Sequence, residues 1–183
     1  MKRNAFSLIE LVIVLSILAV GIQLSITSYK TTSAKSSTVS NTQDFSAINK
    51  SIQAYVDIHK KLPRSDSDGD GVGDSSGYGF LPYVDLNIKS LDRYGFVYRY
   101  DVAANLETTN SATICTELNA TSVEPYYINE LSTQYSVAAV VVSIGENNSL
   151  DTGTNRIYNT LTDDDKLLEI NTSVLYNRVC NWG

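Results

Sequence analysis

The chain has 183 residues, 43% of them hydrophobic, and a formal net charge of −6. An acidic balance disfavours nonspecific binding of nucleic acid, which draws most of its affinity from cationic contacts to phosphate, and it favours cations. Setting aside about 30 N-terminal residues as an anchor leaves enough chain for one globular domain with a real core.

The first predicted element is an apolar helix. From Leu8 to Ile26 run nineteen residues with one ionisable side chain, Glu10. As a helix this is about 28 Å, enough to cross the hydrocarbon core of a bilayer. A carboxylate at that depth costs roughly 2.5–3.5 kcal/mol on insertion scales, so Glu10 calls for a partner. In front stand Met1-Lys-Arg-Asn-Ala5, whose two positive charges predict an N-terminus that stays cytoplasmic. Two competing readings are a secretory signal cut near Thr32-Ser-Ala34, which Glu10 would interrupt for no gain, and a plain anchor whose Glu10 stays protonated.

The stretch Lys2-Arg3-Asn4-Ala5-Phe6-Ser7-Leu8-Ile9-Glu10, followed by Leu-Val-Ile-Val-Leu, resembles the class III leader and mature N-terminus of type IV pilins and type II secretion pseudopilins. The resemblance implies that a prepilin peptidase cuts between Ala5 and Phe6 and that the new Phe6 amine is N-methylated. Glu10 then becomes the fifth mature residue, the carboxylate that meets the amine of a neighbouring subunit during assembly. Ala5 departs from the glycine that relatives usually carry before the cut, while keeping a small side chain. Opposite charges attract strongly in an apolar medium, and pairing removes most of the penalty of burying either alone. The implied organisation is a leader over residues 1–5, a transmembrane and assembly segment over 6–28, and a periplasmic or extracellular head over 29–183. The implied location is the inner membrane as a single-pass precursor, then a periplasmic or cell-surface filament. The implied partners are identical or related subunits, the prepilin peptidase and the inner-membrane assembly platform, with no nucleic acid.

Losing Lys2 and Arg3 would move the side-chain balance from −6 to −8. Beyond the membrane, Thr27 to Asp44 is rich in Ser, Thr and Asn and too polar to drive its own burial. Many relatives have proline at the position of Thr27, so a hinge here would rely on Gly21 and the Ser/Thr tract. From Phe45 the helical period returns: Phe45, Ile48, Ile52, Tyr55, Val56 and His59 form one stripe. Leu62-Pro63 is expected to end it, since proline disfavours helical geometry in the residue before it. One helix from Phe6 to about Lys61 is therefore predicted, its second half packed on a small antiparallel sheet, giving an α+β, pilin-like fold. His59, the chain's single histidine, is expected to pack at the helix end rather than to catalyse.

Next comes Asp66-Ser-Asp68-Gly-Asp70-Gly-Val-Gly-Asp74. Oxygens at alternating positions, with glycines permitting tight curvature, suit a hard cation such as Ca²⁺. An EF-hand would need its bidentate glutamate where Gly77 stands, so the loop is closer to the Asp-rich calcium loops of extracellular repeats; a solvated Gly/Asp turn is the alternative. Gly79-Phe-Leu-Pro82-Tyr and Asp92-Arg-Tyr-Gly95 resemble the region after the long helix in pseudopilin-like proteins, with Tyr94 where relatives more often have tryptophan. Alternation from Phe96 to Val102 predicts a strand. Thr113–Leu118 and Tyr126–Ile128 read as short strands or loop. Tyr135–Ile144 reads as one central strand, Leu167–Ile170 as a last strand, and Asn171–Val179 as a helical turn or a further strand.

Major pseudopilins carry a calcium-supporting loop near the C-terminus. Asp151, Asp163, Asp164 and Asp165 are similarly placed, either as a second calcium site or as a solvated charge cluster. Cys115 and Cys180 fall on the side of the membrane away from the basic leader. In an oxidising compartment they are expected to pair, closing a loop of about 65 residues worth about 4 kcal/mol in the chain-entropy model; two buried thiols are the alternative. No HExxH, phosphate-cradling glycine loop or GxSxG is present, so no enzymatic activity is expected. The expected function is that of a structural filament subunit, a type II secretion pseudopilin or related pilin. The alternatives are a minor type IV pilin with a ligand-binding or adhesive head, serving adhesion, motility or DNA uptake, and a monomeric membrane-anchored calcium module.

Overall fold

In the computed structural model the chain divides into two compact units, Met1–Ser40 and Asn41–Gly183. The structure describes residues 14–16, 43–119, 125–128, 134–150, 153–154, 156–159 and 164–181. Of the first unit it describes Val14 to Ser16, which are helical and exposed. Ala5, Phe6, Glu10 and the continuous helix expected from Phe6 up to residue 42 otherwise lie outside the described residues. Among the described residues no helix is long and apolar enough to cross a membrane.

In the second unit residues 43–59 form α1. After it come β1 (Tyr78–Phe80), β2 (Arg99–Val102), α2 (Ala104–Glu107), α3 (Ile114–Leu118), β3 (Tyr126–Ile128), β4 (Gln134–Ser136), β5 (Ala139–Ser143), β6 (Gly153–Thr154), β7 (Ile157–Asn159), β8 (Lys166–Ile170) and α4 (Thr172–Cys180). The predicted stripe of α1 faces the core: Ile48, Ile52 and Val56 are buried, with Phe45 and Tyr55 packed beside them. The helix stops at residue 59, just before Leu62-Pro63. Lys60 takes a left-handed backbone at φ 55° while its N–H still reaches the Val56 carbonyl. The His59 ring lies 4.2 Å from that of Tyr55 and is exposed, so it covers Tyr55 instead of entering the core.

Among the described residues two four-stranded sheets stand in place of the single sheet expected. The first, in the order β1-β2-β5-β8, is antiparallel throughout. The second, β4-β3-β7-β6, contains one parallel pair, β3 with β7. The predicted continuous strand Tyr135–Ile144 is divided between them. The Val137 N–H bonds to the Pro125 carbonyl and the Ala138 N–H to the Ile170 carbonyl, so the backbone changes ladder partners there. β5 is buried on both faces, as its unbroken apolar run requires. Ala139 and Val141 join the core under α1; Val140 and Val142 join a second core with Val137, Ile144 and Tyr158.

The reading of Thr113–Leu118 as strand or loop is corrected. The Asn110 side chain accepts the N–H groups of Ala112 and Thr113, starting a turn that continues into α3. Ile114 and Leu118, four apart, then fall on one buried face. Between the two readings of Asn171–Val179 the structure chooses helix: Asn171 caps α4 by accepting the Ser173 N–H at 2.8 Å. A Cys115–Cys180 disulfide, with Cα atoms 5.8 Å apart, ties α3 to α4. Arg178 on α4 reaches back to α1, forking onto Asp57 and bonding Gln53.

Candidate functional site

The Asp-rich segment is a loop pinched at its base. Asp66 and Phe80 exchange backbone hydrogen bonds of 3.0 and 2.7 Å, and the Ser65 carbonyl accepts the N–H groups of Asp74 and Ser75. Within the loop Asp66, Asp68 and Asp70 each take a backbone N–H two residues on, the habit that makes this residue a turn former. Asp68 Oδ1 accepts the Asp70 N–H at 3.1 Å, and Asp70 Oδ1 accepts the Val72 N–H at 2.8 Å. Asp66 is fully buried and does most. Its Oδ1 takes the N–H groups of Asp68 and Gly69 at 3.1 and 2.7 Å, and its Oδ2 takes that of Gly71 at 2.7 Å.

This winding brings carboxylate oxygens of Asp66, Asp68 and Asp70 within 4.8 Å of one another. Asp74, expected in the same set, is not among them. Its carboxylate turns to Ser67, accepting the N–H at 2.9 Å and the hydroxyl at 2.8 Å, because the loop closes on itself there. The Ser67 N–H, then its hydroxyl, hold the Asp74 carboxyl below the usual carboxylate range. The donor set is three hard oxygens with no histidine or thiolate, which suits an oxygen-seeking cation such as Ca²⁺. The hydrogen bonds described at Asp68 and Asp70 use Oδ1, so Oδ2 of each is the oxygen suited to a cation.

A second segment, with no spacing cue to mark it, clamps this loop. Asp85 Oδ2 accepts the Gly73 N–H at 2.9 Å, the Tyr83 hydroxyl donates to the Gly69 carbonyl at 3.3 Å, and the Val84 N–H reaches the Gly71 carbonyl at 3.0 Å. Gly71 is required twice over. Its φ is +95°, and an added Cβ would lie 2.6 Å from the Tyr83 ring and 2.7 Å from Val84.

In the later acidic stretch Asp151 and Asp163 lie outside the described residues. Asp165 is buried, and Asp164 Oδ2 caps the turn after β5 by accepting the N–H groups of Glu146 and Asn147 at 2.6 and 3.2 Å. Two buried acids had no motif to announce them. Asp101 on β2 receives a fork from Arg156, closest at 2.6 Å, and the Tyr158 hydroxyl at 2.9 Å. Glu107, 1% exposed, accepts the Gly77 N–H at 2.8 Å.

Residues 1–22 match the model of the prokaryotic N-terminal methylation motif. No curated protein and no solved structure matches the chain.

Proposed function

We propose that this chain, whose residues 1–22 carry the class III signal of type IV pilin-like proteins, is a structural subunit of a type IV pilus-like filament, and within that group a type II secretion pseudopilin. The observation that carries the reading is Glu10, the fifth residue after the cleavage junction, in an otherwise apolar run. The precursor sits in the inner membrane as a single-pass protein, and the prepilin peptidase removes residues 1–5. The freed, methylated Phe6 amine of an incoming subunit pairs with a resident Glu10 as helices leave lipid for the filament. Phe6 and Glu10 are one helical turn apart, so an axial step between parallel neighbours brings amine to carboxylate and sets register by charge. The head then has a structural role and performs no catalysis.

Calcium belongs to the same proposal. Asp66, Asp68 and Asp70 would hold the ion, and its positive charge would offset three gathered carboxylates and stiffen the loop clamped by Tyr83 and Asp85. Asp165, with Asp151 and Asp163, is not assigned an ion.

The test is direct. N-terminal sequencing of the mature protein should begin at an N-methylated Phe6. Glu10→Val should leave the subunit processed and membrane-bound yet poorly assembled. Filament yield equal to wild type in that variant, or a mature chain starting elsewhere, would sink the reading.

A further inference from the structure

Helix α1 has a cleft on each side of its buried stripe. On one side Ala47, Ser51, Ala54 and Ile58 recur at steps of four, three and four residues. They border a groove against residues 85–89, about 290 Å³ where Ala47 and Ser51 face Ile88 and about 180 Å³ where Ala54 and Ile58 face Leu86. Ile58 is 74% exposed at this edge. On the other side Asn49 and Gln53 face α4, where Val174 stands 53% exposed. With 3.6 residues per turn, the groove line lies about 130° to one side of the Ile48–Ile52–Val56 line, and Asn49 and Gln53 lie about 80° to the other. The groove line carries no charge from Ala47 to Ile58; Asp44, paired with Lys89, closes one end and Asp85 marks the other.

We propose that this groove receives the Val174 face of α4 from a second copy of the chain, Val174 seating beside Ala54 and Ile58. The proposal rests on the filament reading and names the head contact within it. Three observations favour a second copy as the occupant. Groove and α4 face are different surfaces of one head, so the contact is heterologous and repeats into an open array instead of closing as a pair, which a filament needs. The chain is acidic at −6, so copies repel except where the meeting faces are neutral or opposite. The one charge of α4, Arg178, is forked onto Asp57 of its own chain, so the Val174 face, like the groove line, meets a second copy as a neutral surface. Finally, α4 is held in place by the Cys115–Cys180 disulfide and the Arg178–Asp57 fork, so its outward face is presented without a large ordering cost.

The experiment uses the full chain, coexpressed with its peptidase and assembly platform, with filaments counted by electron microscopy. Ile58→Arg and Val174→Glu should each lower filament yield by about tenfold or more, as expected for a centrally placed contact. Processing and the melting temperature of the detergent-extracted subunit should stay at the wild-type values, because both side chains are exposed. The double variant should recover most of the loss by pairing the new charges across the interface. Ala54→Arg, on the same exposed line, gives an independent reading should Ile58→Arg disturb folding. Wild-type yield in either single variant, or a double variant no better than the singles, overturns the head contact and leaves the filament reading standing. Absence of filaments from the wild-type chain itself removes the filament reading, and the contact with it.

Discussion

Glu107 Oε1 accepts the Gly77 N–H at 2.8 Å, joining α2 to the lead-in of β1 across thirty residues of chain. Gly77 stands at the position where an EF-hand would place its own glutamate. Here a distant glutamate reaches that backbone instead, from the protein side and away from solvent.

This contact sets a pH dependence. Burial raises the Glu107 carboxyl above its ordinary 4.5; the Gly77 bond and then Arg64 and Arg156 pull it down, and Asp101 adds to the rise. Its Oε2 has no hydrogen-bond partner among the described residues. A folded carboxyl with a raised pKa binds its proton more tightly than the unfolded chain does. Its contribution is therefore full on the acid side and is lost as pH rises from about 4.5 through the folded value. Asp74 has the opposite sign, contributing above 3.8 and losing that contribution as pH falls through its lowered value. Denaturant melts of the mature protein in detergent should show Glu107→Gln flattening the decline above about pH 4.5. An unchanged slope in that variant would show that Glu107 does not titrate in this range.

Added Ca²⁺ should raise the melting temperature of the mature protein, since an ion that binds the folded loop alone stabilises it by mass action. Changing Asp68 and Asp70 together to Asn should abolish the shift, and Asp74→Asn should preserve it. Equal responses in all three proteins would dismiss the loop as the site.

Gly71→Ala should destabilise the head by about 1–3 kcal/mol, from the left-handed backbone and the collision with Tyr83 and Val84 together. Urea melts measure the loss. The variant should also weaken the calcium response, because the Gly71 N–H holds Asp66 Oδ2.

Reducing the Cys115–Cys180 bond, or replacing both residues by Ser, should cost about 4 kcal/mol through the freedom returned to the unfolded chain. Limited proteolysis should then cut first at α4, which is left to the Arg178 fork and the burial of Leu175. Identical melts with and without reductant would refute this.

Asp101→Asn should cost about 3–5 kcal/mol, because it removes the charge from a carboxylate that takes both the Arg156 fork and the Tyr158 hydroxyl in a buried place. Equilibrium unfolding tests this, and a loss below about 1 kcal/mol would place the pair among surface ion pairs of small worth.

Much of the second unit is legible in the sequence. The stripe from Phe45 to Val56 is periodic, and it is buried as its period predicts. The apolar run of β5 lies between two cores, as a run without polar alternation must. Other features were hidden for specific reasons. Thr113–Leu118 has the β-branched residues of a strand, yet the turn that Asn110 holds ahead of it runs on into a helix that buries Ile114 and Leu118. Asp74 keeps the spacing of a ligand, yet it closes the loop on Ser67. Asp85 and Glu107 come from segments with no pattern linking them to the loops they hold.

By itself the sequence determined what short-range chemistry decides: the processing motif with its single acid in an apolar run, the amphipathic helix, the Asp/Gly loop and the two cysteines as the available pair. Only the tertiary structure decided the division of Tyr135–Ile144 between two sheets, which aspartates converge, and the capture of Asp101 by Arg156 and of Gly77 by Glu107. The first group depends on neighbours within a turn or two of chain, where spacing and side-chain type suffice. The second depends on backbone and carboxyl groups finding partners tens of residues away, a choice made when burial removes water and each polar group must be satisfied by whatever the fold has brought beside it.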